Sequence, residues 1–104
     1  MKVYLDDVRP SPKGWVLVRW PEEAIELLKT GEVEEISLDH DLGDINDYER
    51  TGYDVMLWLE EQAALGNFKV IPKHILVHTG NTSAEKRMWA AIKNIEKLRS
   101  QPLP

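Results

Sequence analysis

Residues 33–43 read Val-Glu-Glu-Ile-Ser-Leu-Asp-His-Asp-Leu-Gly. An apolar β-type run ends here in two carboxylates flanking an imidazole. The same grammar occurs twice more. Residues 1–5 (Met-Lys-Val-Tyr-Leu) run into Asp6-Asp7, with Arg9 two positions on, and Ile75 to Val77 runs into His78-Thr79-Gly80-Asn81. In an open parallel α/β sheet the C-terminal ends of the strands share one edge, and ligands bind there. If the strands run parallel, all three motifs meet at that edge. Carboxylates, two imidazoles, a hydroxyl and an amide gathered in one place suit divalent-metal and phosphate chemistry.

The rest of the chain supplies the helices that such a sheet needs. Residues 8–14 hold two prolines and a glycine and read as a loop. Residues 15–19 (Trp-Val-Leu-Val-Arg) read as a second strand. Pro21 suits the first turn of a helix, Glu22 and Glu23 its positive end, and Ala24, Ile25, Leu27 and Leu28 its apolar stripe, with Gly31 as a stop. Residues 43–52 are polar and acidic and read as an exposed loop. A helix is expected over residues 53–65, with Met56, Leu57, Leu59 and Ala63 on or near one face, closed by Gly66-Asn67. A fourth strand follows Pro72, over residues 74–78. Thr82-Ser83-Ala84-Glu85 matches a capping box with Thr82 as the cap. Met88, Ala91, Ile92, Ile95 and Leu98 mark the last helix. Strands alternating with helices imply a parallel sheet with crossover connections, in the order 2-1-3-4. Residues 1–99 are expected to form one domain and residues 100–104 a flexible tail.

Composition narrows the function classes. The chain has 104 residues, 42% of them hydrophobic, which fits one domain with a real core. A formal charge of −5 argues against broad binding to a nucleic-acid backbone. It leaves room for one nucleotide end in a pocket, where a cation offsets local negative charge. Cysteine is absent, which excludes disulfides and thiolate zinc sites. No apolar run approaches the roughly 18 residues of a membrane span. The first residues read as a strand and not a signal peptide, so a cytoplasmic location is the default. The four tryptophans are many for this length; Trp58 and Trp89 read as packing residues.

These residues resemble the receiver domain of two-component response regulators. Asp6 and Asp7 match its acidic pair, Asp39 its phosphoacceptor and Thr79 its hydroxyl residue. The chain departs from the pattern in two ways: the loop after strand one cannot be a helix, and no fifth strand offers the receiver's Lys. A closer similarity is to the receiver-derived family assigned to cyclic-phosphate processing, over nearly the whole chain. Its Leu-Asp-Asp-x-Arg motif is Leu5 to Arg9 here, its Leu-Asp-His-Asp-Leu-Gly motif is Leu38 to Gly43, and its His-[Ser/Thr]-x-Asn motif is His78 to Asn81. The resemblance implies a small receiver-like (flavodoxin-like) three-layer α/β fold. It also implies a substrate that is a small cyclic phosphate, of a nucleotide or an RNA end.

Each candidate residue has a functional and a plainer reading. Asp6 and Asp7 repel one another unless a cation or hydrogen bonds relieve them. With Asp39 at the same edge they favour a hard cation, Mg²⁺ or Mn²⁺. Asp41 is as readily a turn residue as a ligand. Opening a cyclic phosphodiester needs a base for water and an acid for the leaving alkoxide. His40 and His78 suit both jobs, with Asp39 beside them, and zinc ligation is the competing reading of the imidazoles. Exchange of either His for Ala is expected to leave the melting temperature nearly intact. Arg9, Thr79 and Asn81 can donate to phosphate oxygens, with Arg87 as a weaker candidate. Arg9 and Asn81 are alternatively an ion-pair partner and a turn residue. A non-catalytic module that binds phosphate or a protein partner is the second reading. A phosphoacceptor regulator is the third.

Overall fold

The computed structural model describes residues 1–6, 10–39, 41–45, 48–78 and 82–100, with 41–45, 48–51 and 82–84 described by their backbone. The elements are β1 (Lys2–Leu5), β2 (Val16–Val18), α1 (Pro21–Leu28), β3 (Glu35–Leu38), β4 (Asp41–Ile45), β5 (Tyr48–Thr51), α2 (Tyr53–Ala64), a 3₁₀ turn (Phe68–Val70), β6 (His74–Val77) and α3 (Thr82–Ser100). One sheet has the order β2-β1-β3-β6, with every pairing parallel. Counting only its own strands, this is the expected 2-1-3-4 order of a small receiver-like α/β fold.

Burial fixes the register of that sheet. Val3, Leu5, Ile36 and Leu38 are 0% exposed, and Ile75 is buried with them. Val3 pairs with Ile36 and Ile36 with Ile75; Leu5 pairs with Leu38 and Leu38 with Val77. Each fully buried aliphatic side chain contributes about 1.5–3 kcal/mol. A one-residue slip would turn a strand's apolar set outward and bring Tyr4 or Ser37 into the core in its place.

Helices α1, α2 and α3 pack side by side, and their buried residues join those sheet residues in one core. Pro21 sits at the start of α1 with Glu22 and Glu23 in its first turn, as expected, and Ala24 and Leu28 are its deepest residues. The helices therefore share one face of the sheet. On the other face lie Tyr4, Ser37 and Leu76, and no described helix covers them. The fold class stands as expected, but among the described residues the layers number two. The reason is local: β1 and β2 are joined through Pro10-Ser11-Pro12-Lys13-Gly14, a loop with a turn at its end, where a covering helix would have to lie.

One expectation is corrected. Residues 43–52 were read as an exposed loop, yet β4 and β5 form an antiparallel hairpin in which Ile45 pairs with Tyr48, Asp44 with Glu49 and Asp41 with Thr51. Its ladder needs no apolar stripe, because backbone groups satisfy one another across the pair. Ile45, Tyr48 and Thr51 are good β-formers, and two residues separate the strands. An isolated hairpin is marginal in water, and this one is braced where β5 meets α2. Smaller differences lie at boundaries. Thr82 is already helical where it was expected to cap, and α3 continues through Ser100; residues 101–104 lie outside the described ones. Trp58 packs on the core as expected, but Trp89 is 39% exposed, with its indole N–H directed at Glu85. No described helix is long and apolar enough to cross a membrane.

Gly52 ties the hairpin and α2 to β3. It is buried at the start of α2, and a Cβ there would collide with the backbone carbonyl oxygen of Asp39 and press on Leu38. Gly52→Ala is expected to lower stability by about 1–3 kcal/mol, as overpacking does. In urea unfolding this appears as a lower midpoint with an unchanged slope.

Candidate metal and phosphate site

The parallel ladder runs one residue past the formal strand ends. The Asp6 amide donates to Val18 O (3.1 Å), the Asp39 amide to Leu5 O (3.1 Å) and the His78 amide to Leu38 O (3.0 Å). Asp6, Asp39 and His78 are therefore the next row after Leu5, Leu38 and Val77. By strand alternation they belong to the face of Tyr4, Ser37 and Leu76, the one without helices. One ligand atom from each of Asp6, Asp39 and His78 lies within 4.8 Å of the others.

His78 reaches back across β3 toward β1. Its Nε2 lies 3.1 Å from Asp6 Oδ2 and its Nδ1 lies 2.6 Å from Ser37 Oγ. Its ring stacks on Tyr4 with centroids 4.0 Å apart and planes 9° from parallel, and Trp15 meets Tyr4 edge-on. Asp6 is 1% exposed and Ser37 6%. A buried carboxylate is costly unless paired, and a buried hydroxyl without a partner costs about 1–3 kcal/mol. His78 answers both groups at once. Arg19 adds a further tie, its Nη1 donating to the backbone oxygen of Asp6 at 3.0 Å.

Of the residues singled out from sequence, the structure brings together Asp6, Asp39 and His78. Asp7, Arg9, His40, Thr79 and Asn81 lie outside the described residues, and Asp41 is described by backbone alone, as the first residue of β4. Arg87 is exposed on α3. His74 sits exposed at the opposite end of β6 from His78. Sequence reasoning missed Tyr4, Ser37 and Arg19. A signal for the first two was present: each stands two positions before a motif residue, Tyr4 before Asp6 and Ser37 before Asp39, and period-two spacing places such pairs on one face. Ser37 was further marked as a polar residue inside an apolar strand. Arg19 carried no such mark.

The family follows from the whole chain. The sequence model of the cyclic-phosphate processing receiver domain matches residues 1–94. The chain belongs to that family. No curated protein and no solved structure matches it at a significant level. The family name associates this receiver-like domain with cyclic-phosphate processing.

The donor set also fits a divalent cation. Two carboxylates and one imidazole converge, and the buried Asp6 faces the cluster. Carboxylate oxygens suit Mg²⁺ and Mn²⁺, and an imidazole nitrogen in the set favours the transition metal.

The packing of His78 revises the expectation that its removal would be neutral. His78→Ala strips a stacking partner from Tyr4 and a hydrogen-bond partner from both Asp6 and Ser37. It is expected to lower stability by about 1–3 kcal/mol. His74→Ala, on the same strand but exposed, is expected to stay within about 0.5 kcal/mol. Chemical unfolding of the two variants side by side checks this.

Proposed function

We propose that the chain hydrolyses a cyclic phosphodiester, of a nucleotide or an RNA end, with a divalent cation held by Asp6 and Asp39. The observation that carries this reading is the convergence of Asp6, Asp39 and His78 at the strand edge of a chain that belongs to the cyclic-phosphate processing receiver family. Mg²⁺ or Mn²⁺, when bound, supplies positive charge against the phosphate oxygens. Asp7 and Asp41 are further carboxylates for it. Hydrolysis forms one bond from water oxygen to phosphorus and breaks one ring P–O bond. A proton leaves the water and a proton reaches the departing alkoxide. His78 and His40 carry those protons in this reading, and Arg9, Thr79 and Asn81 orient the phosphate.

The geometry sets a condition on His78. Both its ring nitrogens are engaged, Nδ1 by Ser37 and Nε2 by Asp6. Nε2 must exchange its contact with Asp6 for one with the substrate for proton transfer. Asp6 has two oxygens, so it can serve a cation through one while the other accepts from Nε2–H. The same double engagement favours a second reading, a binding module in which His78 only braces Asp6.

Two measurements separate the readings. Mn²⁺ or Mg²⁺ at about 100 times its dissociation constant stabilises by about 2.7 kcal/mol, which raises the melting temperature. Asp39→Asn is expected to blunt that rise, and no rise at millimolar cation counts against the site. A 2′,3′-cyclic nucleotide is expected to be opened with multiple turnovers. His78→Ala or His40→Ala, assayed well below its unfolding temperature, is expected to lower the rate by about 10²–10⁴. Full activity in the double His variant defeats the proton-transfer assignment, and its absence in the wild type favours the binding module.

A further inference from the structure

His78 needs an explanation for its orientation. An imidazole at a strand end has two nitrogens and a rotatable ring, so either nitrogen can face the cluster. Here Ser37 and Asp6 decide between them together, Ser37 by the shorter contact. Ser37 lies in β3, two positions before Asp39, and is 6% exposed at the edge of the imidazole. Its Oγ meets Nδ1 at 2.6 Å, while Nε2 lies 3.1 Å from Asp6 Oδ2. With Asp6 ionised, its carboxylate accepts and cannot donate, and a neutral ring then carries its hydrogen on Nε2. Nδ1 then accepts from the Ser37 hydroxyl. A flipped ring would place carbon atoms where the two nitrogens now sit, leaving the buried hydroxyl and the carboxylate without those partners. Tyr4 adds a flat floor at 4.0 Å that holds the ring plane without choosing a nitrogen.

We infer that Ser37 is a positioning residue that fixes His78 with Nδ1 anchored and Nε2 directed at the Asp6–Asp39 cluster, so that Nε2 is the atom that meets a cation or a reacting group there. Buried against the Nδ1 edge of the ring, Ser37 is not placed to attack a substrate. The hydroxyl both donates and accepts, so the anchor at Nδ1 survives a change of hydrogen at that nitrogen. An Ala in its place removes the anchor, and a Thr retains it. The consequence for rate rests on the hydrolytic reading above; the geometric claim does not.

The test uses the full chain in three forms: wild type, Ser37→Ala and Ser37→Thr. Long-range ¹⁵N–¹H NMR of the imidazole, with the ring neutral, reports which nitrogen carries hydrogen. Wild type and Ser37→Thr are expected to show His78 in a single form with hydrogen on Nε2. Ser37→Ala keeps the contact with Asp6 but loses the anchor at Nδ1, and is expected to show a second, minor tautomer beside the Nε2–H form. A His78 spectrum in Ser37→Ala identical to wild type overturns the proposal, whatever the activity. So does a wild-type spectrum with hydrogen on Nδ1 when recorded free of divalent cation. Should Ser37→Ala fail to fold, the wild-type and Ser37→Thr spectra still decide, since loss of the single Nε2–H form on adding only a methyl group to the anchor also overturns it. With a cyclic nucleotide as substrate, Ser37→Ala is expected to lose about tenfold or more in kcat with KM within about twofold, restored in Ser37→Thr. If no form turns the substrate over, the hydrolytic reading fails and the spectra alone judge the role of Ser37.

Discussion

The register of the parallel sheet is the constraint on which the site depends. Leu5, Leu38 and Val77 lie in one row, and burial of the leucines holds it. The next row must then be Asp6, Asp39 and His78, and the backbone hydrogen bonds of these residues extend the ladder by one step. No loop has to find its place for these three residues to meet. The apolar core on one face and the polar row at the edge are parts of one arrangement, because the alternation that buries Leu5 and Leu38 sends Tyr4 and Ser37 to the opposite side.

That opposite side gives the fold its particular character. All-parallel sheets are usually covered on both faces. Here no described helix covers the face of Tyr4 and Ser37, and the ring of His78 occupies part of the space a helix would fill. A receiver fold with its first helix replaced by a proline-rich loop thus frees the sheet surface beside the edge where Asp6, Asp39 and His78 meet. His78 uses that surface as a seat, with Tyr4 beneath it and Ser37 at its edge. On the remaining side, Gly52 brings the start of α2 against the Asp39 backbone, and the β4–β5 hairpin is the stretch of chain that joins the two.

Much of this was legible in the residues. The apolar runs ending in acidic or His-bearing motifs gave the strands, and alternation with helical stripes gave the parallel order. The meeting of Asp6, Asp39 and His78 followed from parallel strands alone. What escaped has physical causes. The hairpin of Asp41–Ile45 and Tyr48–Thr51 has a polar sequence held by backbone pairing, which leaves no periodic apolar trace. The partnership of His78 with Ser37 and Asp6 depends on a side chain reaching over a neighbouring strand, and spacing along the chain says nothing of that reach. Arg19 meets Asp6 through a backbone oxygen, a contact that residue types do not announce.

The central claim, as proposed above, is that a divalent cation binds at the strand edge between Asp6 and Asp39, beside His78. Titration of the ¹⁵N-labelled chain with Mn²⁺ tests it most directly, because the paramagnetic ion broadens signals near it first. The account predicts that the signals of Asp6, Asp39 and His78 vanish at low Mn²⁺, ahead of those of His74 at the far end of β6. Broadening that begins elsewhere on the acidic surface, or that spreads without preference for this row, contradicts it.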